Sequence, residues 1–217
     1  MRGEQLKRTN TMPVDFDRKI AFIHVPKTAG TSIEYRYDLR RKECFFEKKK
    51  DTYTFDNIKF APQHLRPKDL AQLIPDFEEY KTFCFIRHPY EKMISEYYWL
   101  HKDLYGKPIK YWNQRLFRKW LIEEASKKDR DHLLPQSSYT KDCNYVFLLE
   151  NLNKHIEEID HWFGKNSSQI LRHDKKGSRT KEKASRLNRR TQDLIYALYR
   201  EDFDILGFDR HYLRLQC

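Results

Sequence analysis

Cysteine is sparse in this chain, and what there is makes no pattern. The four residues, at 44, 84, 143 and 217, form no CxxC pair and no metal-ligand spacing. Neither a disulfide framework nor a bound metal is indicated, and reduced, structural thiols of a cytoplasmic protein are the expectation. Long apolar runs are missing too. No stretch approaches the roughly 18 apolar residues of a membrane span, and the opening MRGEQLKRTNTMPVDFDR has no apolar core of the secretory kind. No internal repeat is visible, and no nucleic-acid-binding module: the basic residues do not alternate with aromatic ones. What is present is enough for one sizeable core, since 217 residues with 15% aromatic content argue against wholesale disorder.

Charge of one sign dominates. The formal net charge is +11, and the segment from Lys165 to Arg190 holds ten Lys/Arg against two acids. A solvated helix face can carry such charge without purpose. A block this dense more often marks an anionic partner or a mobile loop.

Along the chain, residues 1–17 read as a loose, flexible polar arm and 18–217 as one domain. KIAFIHV (19–25) is short, apolar and β-branched, a buried strand. Residues 31–41 read as a helix opened by a Thr/Ser pair. ECFFEKKKDTYTFDNIKFA (43–61) reads as a strand or hairpin region, and RPKDLAQLIP (66–75) as a short helix bounded by prolines. YKTFCFIRHP is a second buried strand stopped by Pro89, followed by a helix over 90–104 and another over 111–128 with Trp112, Leu116, Trp120 and Leu121 near helical spacing. NYVFLLE (144–150) is a third strand with its own helix, and 190–206 closes the chain as a helix. Strands alternating with helices predict an α/β fold, a central parallel sheet flanked by helices on both faces. Such sheets bind ligands at the carboxyl ends of their strands, which places HVPKTAGTS, IRHP and the residues after FLLE at one edge.

HVPKTAGTS (24–32) has the parts of a phosphate loop in an unusual order. Lys27 comes first, then Thr28, Ala29, Gly30, Thr31 and Ser32. A glycine allows a tight turn and close backbone approach to an anion. The hydroxyl pair opens a helix whose free N–H groups and positive dipole end favour that anion. A capped strand–helix turn needs no ligand, but a lysine just before the helix favours phosphate or sulfate. In CFIRHPYEKMISEYY, Arg87 stands at a strand end and Ser95 eight residues on, a fork and a hydroxyl suited to a phosphate monoester.

FIHVPKTAGTS resembles the 5′-phosphosulfate loop of sulfotransferases, and FIRHPYEKMISEYY their 3′-phosphate motif, in the right order and each after a strand. LLPQSSY, YVFLLENL and LYREDFDILGF resemble later landmarks of the same family. The nearest branch is the Golgi-type carbohydrate sulfotransferases, the heparan sulfate and uronyl 2-O group with its small bacterial-type members, and the likeness spans roughly residues 19–208. It implies 3′-phosphoadenosine 5′-phosphosulfate (PAPS) as donor, without a metal. It also implies Lys27 at the bridging oxygen; the amides and hydroxyls of Thr28, Gly30, Thr31 and Ser32 on the 5′-phosphate; and Arg87 with Ser95 on the 3′-phosphate.

An alcohol acceptor needs a base, and histidine has a suitable pKa, about 6.5 unperturbed. Among nine histidines, the resemblance selects His64, between the two motifs, as the catalytic base. Where the branch often has a second histidine, this chain has Arg66. His132 is the runner-up, as an acceptor contact, and His24 and His88 are expected to support their loops. By the same resemblance the basic segment folds over the nucleotide, with Lys175, Lys176, Ser178 and Arg179 as candidate contacts. An ATP- or GTP-dependent kinase fits less well, because its loop places glycines first; a nucleic-acid binder fits least. The acceptor is expected to be a carbohydrate or another hydroxyl compound.

Overall fold

The computed structural model describes residues 12–39, 52–165 and 178–212. The apolar stretches read as strands become β2 (Ile20–Phe22), β5 (Lys81–Ile86) and β6 (Tyr145–Leu148). They pair in parallel in the order β2-β5-β6. A fourth strand, β1 (Val14–Asp15), lies antiparallel on the outer edge of β2. It falls within the segment expected to be a loose arm. Met12 and Val14 are buried, and the Phe22 amide donates to the Pro13 carbonyl at 2.9 Å, so from residue 12 onwards the chain belongs to the sheet.

Alternation along the strands sends two residue sets to two cores. Ile20, Phe22, Phe83, Phe85 and Phe147 face α1 (Gly30–Arg36) and α6 (Leu152–Trp162), packing on Ile33, Tyr37, Leu152, Ile159 and Phe163. Ala21, Ile23, Cys84 and Ile86 face the other way, onto Phe60, Leu65, Leu70, Ile74 and Tyr139. The architecture is therefore the expected α/β one, a mostly parallel sheet covered on both faces.

The hairpin expected around 43–61 is β3 (Tyr53–Phe55) with β4 (Ile58–Phe60); residues 43–51 of that stretch lie outside the described ones. Asp56 and Asn57 both have positive φ, 51° and 61°, as a two-residue hairpin turn requires. A single turn at Pro62–His64 follows, then α2 (Pro67–Leu70).

A third cluster is wholly helical. It joins α3 (Pro89–Trp99), α4 (Gln114–Glu123), α7 (Ser178–Ser185), α8 (Arg189–Leu198) and α9 (Arg200–Leu206) through Tyr90, Met93, Ile94, Tyr97, Phe117, Trp120, Ile195 and Phe203. Between α4 and β6 sits the short helix α5 (Ser137–Thr140). α4 starts later than read, at Gln114, because the Asn113 side chain accepts from the amides of Arg115 and Leu116 and sets the boundary. The closing helix is two helices, α8 and α9, broken where Tyr199 leaves helical geometry at φ −123°.

Candidate active site

The carboxyl ends of β2 and β5 deliver the two motifs to the same place. After β2 the chain turns through residues 24–29 into α1. Lys27 and Ala29 hold left-handed φ values of 71° and 66°, so the glycine is not the residue that makes this turn. Gly30 is needed for another reason. A Cβ there would fall 2.0 Å from Cδ2 and Nε2 of His24, whose Nδ1 is 2.5 Å from Oε1 of the buried Glu34. The His24 ring braces the loop from beneath, as expected of it.

The loop's polar groups divide into two sets. The Thr28 hydroxyl donates inward to the Val25 carbonyl at 2.8 Å and is fully buried, so of Thr28 only the amide can serve an anion. This corrects the expectation for its hydroxyl. The amides of Ser32 and Ile33 turn back to the Ala29 carbonyl. Those of Thr28, Ala29, Gly30 and Thr31 have no acceptor among the described residues, as at any helix start that awaits a ligand or solvent.

Arg87 emerges from β5 against this loop. Its Nη1 donates to the Lys27 carbonyl at 3.2 Å. Nη2 donates to Glu91 Oε2 at 2.5 Å and to Thr180 Oγ1 at 2.9 Å. Its buried Nε has no partner among the described residues. Ser95 lies one turn beyond Glu91 in α3 and is half-buried. The backbone of Arg87 is gripped on both sides by the buried Gln136, which accepts from the amide at 3.0 Å and donates to the carbonyl at 2.8 Å. Asp202 accepts from the Ser137 amide at 2.8 Å. The stretches LLPQSSY and LYREDFDILGF thus meet behind Arg87. His88 caps α3, its Nδ1 accepting from the Tyr90 amide while Nε2 donates to the Asp209 carbonyl at 2.9 Å. Burial holds it below the ordinary histidine range.

Three imidazoles line up beside Lys27. His24 and His64 meet edge to face at 4.4 Å, and His64 and His132 at 4.8 Å. His132 stacks on Trp99 at 4.3 Å, and the Lys27 ammonium lies 5.1 Å from the centre of the Trp99 ring. His64 Nδ1 donates to the His24 carbonyl at 2.8 Å, which leaves the lone pair on Nε2. Burial first, then His24 and His132, hold His64 well below the ordinary histidine range, so it is neutral at pH 7. His132 Nδ1 is 2.8 Å from Oε2 of Glu96. Glu96 is fully buried. Burial acts to raise its pKa, but His132, Lys27 and Lys92 outweigh it and the carboxyl sits below its usual range.

Sequence reasoning missed Glu34, Glu91, Glu96, Trp99, Gln136 and Thr180. Glu91, Glu96 and Trp99 had a signal of a kind, because they share the helix that carries Ser95. Of the basic-segment candidates, Ser178 and Arg179 open α7, two residues before the Thr180 contact to Arg87. Lys175 and Lys176 lie outside the described residues.

Among the described residues no helix is long and apolar enough to cross a membrane. A search of curated proteins and one of solved structures give no match. The sequence model of the sulfotransferase family matches residues 10–209, a span that takes in both motifs, the three histidines and every strand of the sheet, and the chain belongs to that family.

Proposed function

We propose that this sulfotransferase takes its sulfuryl group from PAPS and passes it to a hydroxyl, with a carbohydrate as the acceptor class. Bound there, the donor supplies an activated sulfur whose leaving group is a nucleotide 5′-phosphate. The chain's own residues divide the remaining work. The amides of Thr28, Gly30 and Thr31 and the hydroxyls of Thr31 and Ser32 bind the 5′-phosphate. The Lys27 ammonium offsets the charge that grows on the leaving oxygen. Arg87 and Ser95 bind the 3′-phosphate, Thr180 steadies the Arg87 fork, and Ser178 and Arg179 bring basic chain towards it. A histidine of the cluster beside Lys27 accepts the proton of the hydroxyl.

One observation carries this reading. The Arg87 guanidinium spans from the end of β5 to the Lys27 carbonyl with a buried Nε unpartnered. The two motifs thus meet at a 3.2 Å hydrogen bond, and a donor N–H has no acceptor among the described residues. Buried donors are seldom left so without a functional reason.

Calorimetry with adenosine 3′,5′-bisphosphate and with AMP tests it. The bisphosphate should bind tighter without a metal. Arg87→Ala should cost about 1.5–3 kcal/mol for the bisphosphate, the size of a charge-assisted hydrogen bond, and little for AMP. Equal affinity of the wild-type protein for the two nucleotides would remove the 3′-phosphate site from the account.

A further inference from the structure

Helix α3 presents three residues to one histidine. Lys92, Glu96 and Trp99 stand at i, i+4 and i+7, on one face. Lys92 Nζ donates to the carbonyls of His132 and Leu134 at 3.0 and 3.1 Å. Glu96 takes the imidazole Nδ1 and Trp99 stacks on the ring. Lys92 and Glu96 are both fully buried. Withdrawing two charges from water is costly, and a histidine that only filled space would not need either. Asp131 completes the seat. Its Oδ1 accepts from the His132 amide at 2.7 Å and its Oδ2 from the Ala61 amide at 2.9 Å, which ties this turn to the one that carries His64.

The other two imidazoles are less well placed to meet a substrate. His24 is bound to Glu34, and its Nε2 edge is covered by Gly30. His64 is 3% exposed, with His24 on one side and His132 on the other. His132 is the outermost of the three, with 14% of its side chain exposed. It shares the Trp99 ring with the Lys27 ammonium.

We propose that Glu96 and His132 form the proton-accepting dyad for the acceptor hydroxyl, with His132 Nε2 taking the proton, and that His64 is a positioning residue that fixes the His132 ring. This rests on the sulfuryl-transfer reading and moves the base from His64, where the sequence placed it, to His132. An ionised Glu96 can only accept, so Nδ1 of neutral His132 carries its proton and Nε2 its lone pair. In the step, the acceptor's O–H bond breaks, the proton goes to Nε2, and the electron pair stays on oxygen to form the new bond to sulfur. The pair of the broken sulfur–oxygen bond leaves with the nucleotide phosphate beside Lys27. The resulting imidazolium faces Glu96, which stabilises it, and later gives its proton to solvent.

The charged and titratable groups facing His132 are Glu96 and Lys92 from α3, His64 from the Pro62–His64 turn, Lys27 from the loop and Asp131 from its own turn. Of these, Glu96 alone contacts the ring nitrogen. Histidine ¹⁵N NMR on the free protein should therefore show neutral His132 protonated on Nδ1. In Glu96→Gln an acceptor remains for Nδ1 but the negative charge is gone. The imidazolium formed in the step is then less stabilised, so turnover should fall while affinity for adenosine 3′,5′-bisphosphate is kept. His132→Ala should lose about 10²–10⁴ in turnover while keeping its affinity for adenosine 3′,5′-bisphosphate. His64→Gln should turn over more slowly but still measurably, because His132 remains. Neutral His132 protonated on Nε2, an undiminished turnover in Glu96→Gln, or an active His132→Ala beside a dead His64→Gln would each overturn the dyad. The tautomer is read on the wild-type protein without ligand, so it judges the dyad even where a variant fails to fold. Failure of adenosine 3′,5′-bisphosphate to bind would instead overturn the donor assignment.

Discussion

At position 30 a ring, not a turn, demands glycine. The left-handed conformations of the loop fall on Lys27 and Ala29, whereas Gly30 is the point where the backbone passes over His24. That ring cannot swing aside freely, because Glu34 holds its Nδ1 and Phe22 stacks against it at 5.6 Å. Gly30→Ala should therefore push the loop off the imidazole. The expected cost is about 1–3 kcal/mol, as for other overpacked sites, with a larger loss in affinity for adenosine 3′,5′-bisphosphate, because the displaced amides are those proposed to bind its 5′-phosphate. Denaturant unfolding and calorimetry of the one variant check both halves. An unchanged midpoint would mean that the loop has slack that the packing does not show. The sequence marked Gly30 and its lysine neighbour as a phosphate loop, but not why glycine stands there. The clash involves a residue six positions back whose ring direction is set by Glu34. The histidines show the same limit. His24, His64 and His132 come from three separate segments, and only the fold reveals that they touch, that His24 and His64 are buried, and that His24 and His132 each meet a carboxylate.

Among the elements, α3 carries the most residues of the proposed site. One face holds His132 through Lys92, Glu96 and Trp99. The preceding strand end and first turns hold Arg87, Glu91 and Ser95. Glu91 is the unexpected member. Its Oε2 accepts from Arg87 and its Oε1 from the Tyr212 hydroxyl at 2.5 Å. A carboxylate paired with the arginine proposed to bind the 3′-phosphate competes for the same fork. Glu91→Gln should therefore tighten adenosine 3′,5′-bisphosphate by up to about fivefold, roughly the value of a partly exposed ion pair, with a small loss of stability. Weaker binding in this variant would show that Glu91 aims the guanidinium rather than competing for it. The sequence made α3 and β5 legible because both are long and strongly patterned. It did not show β1, a two-residue strand whose pairing depends on the distant edge of β2, nor the break at Tyr199, where the side chain is buried and its hydroxyl donates to the Leu133 carbonyl at 3.0 Å. Short elements carry too little periodicity to be read, and tertiary contacts set their ends.

For the molecule as a whole, the site is a junction of segments that meet nowhere else in the chain order: the loop after β2, the start of α3, the turn at Asp131–Leu133, Gln136 and the α7 helix. An anion held between the loop and Arg87 stabilises the folded state against all of these coming apart. At a nucleotide concentration about 100 times its dissociation constant, linkage gives about 2.7 kcal/mol. For a domain of this size that corresponds to a rise in Tm of about 5–10 °C. The protein's +11 charge adds a long-range part to this binding. Between about 0.1 M and about 1 M salt the screening length falls from about 10 Å to about 3 Å. The remote lysines and arginines then cease to act, while Arg87 and the loop amides, within hydrogen-bonding distance, still do. Adenosine 3′,5′-bisphosphate should thus lose part of its thermal shift at high salt but not all of it. A single-stranded oligonucleotide, held only by the general positive field, should lose nearly all of whatever shift it gives. If the two ligands fade together with salt, binding reflects net charge alone, and the convergence of loop and Arg87 is not a nucleotide site.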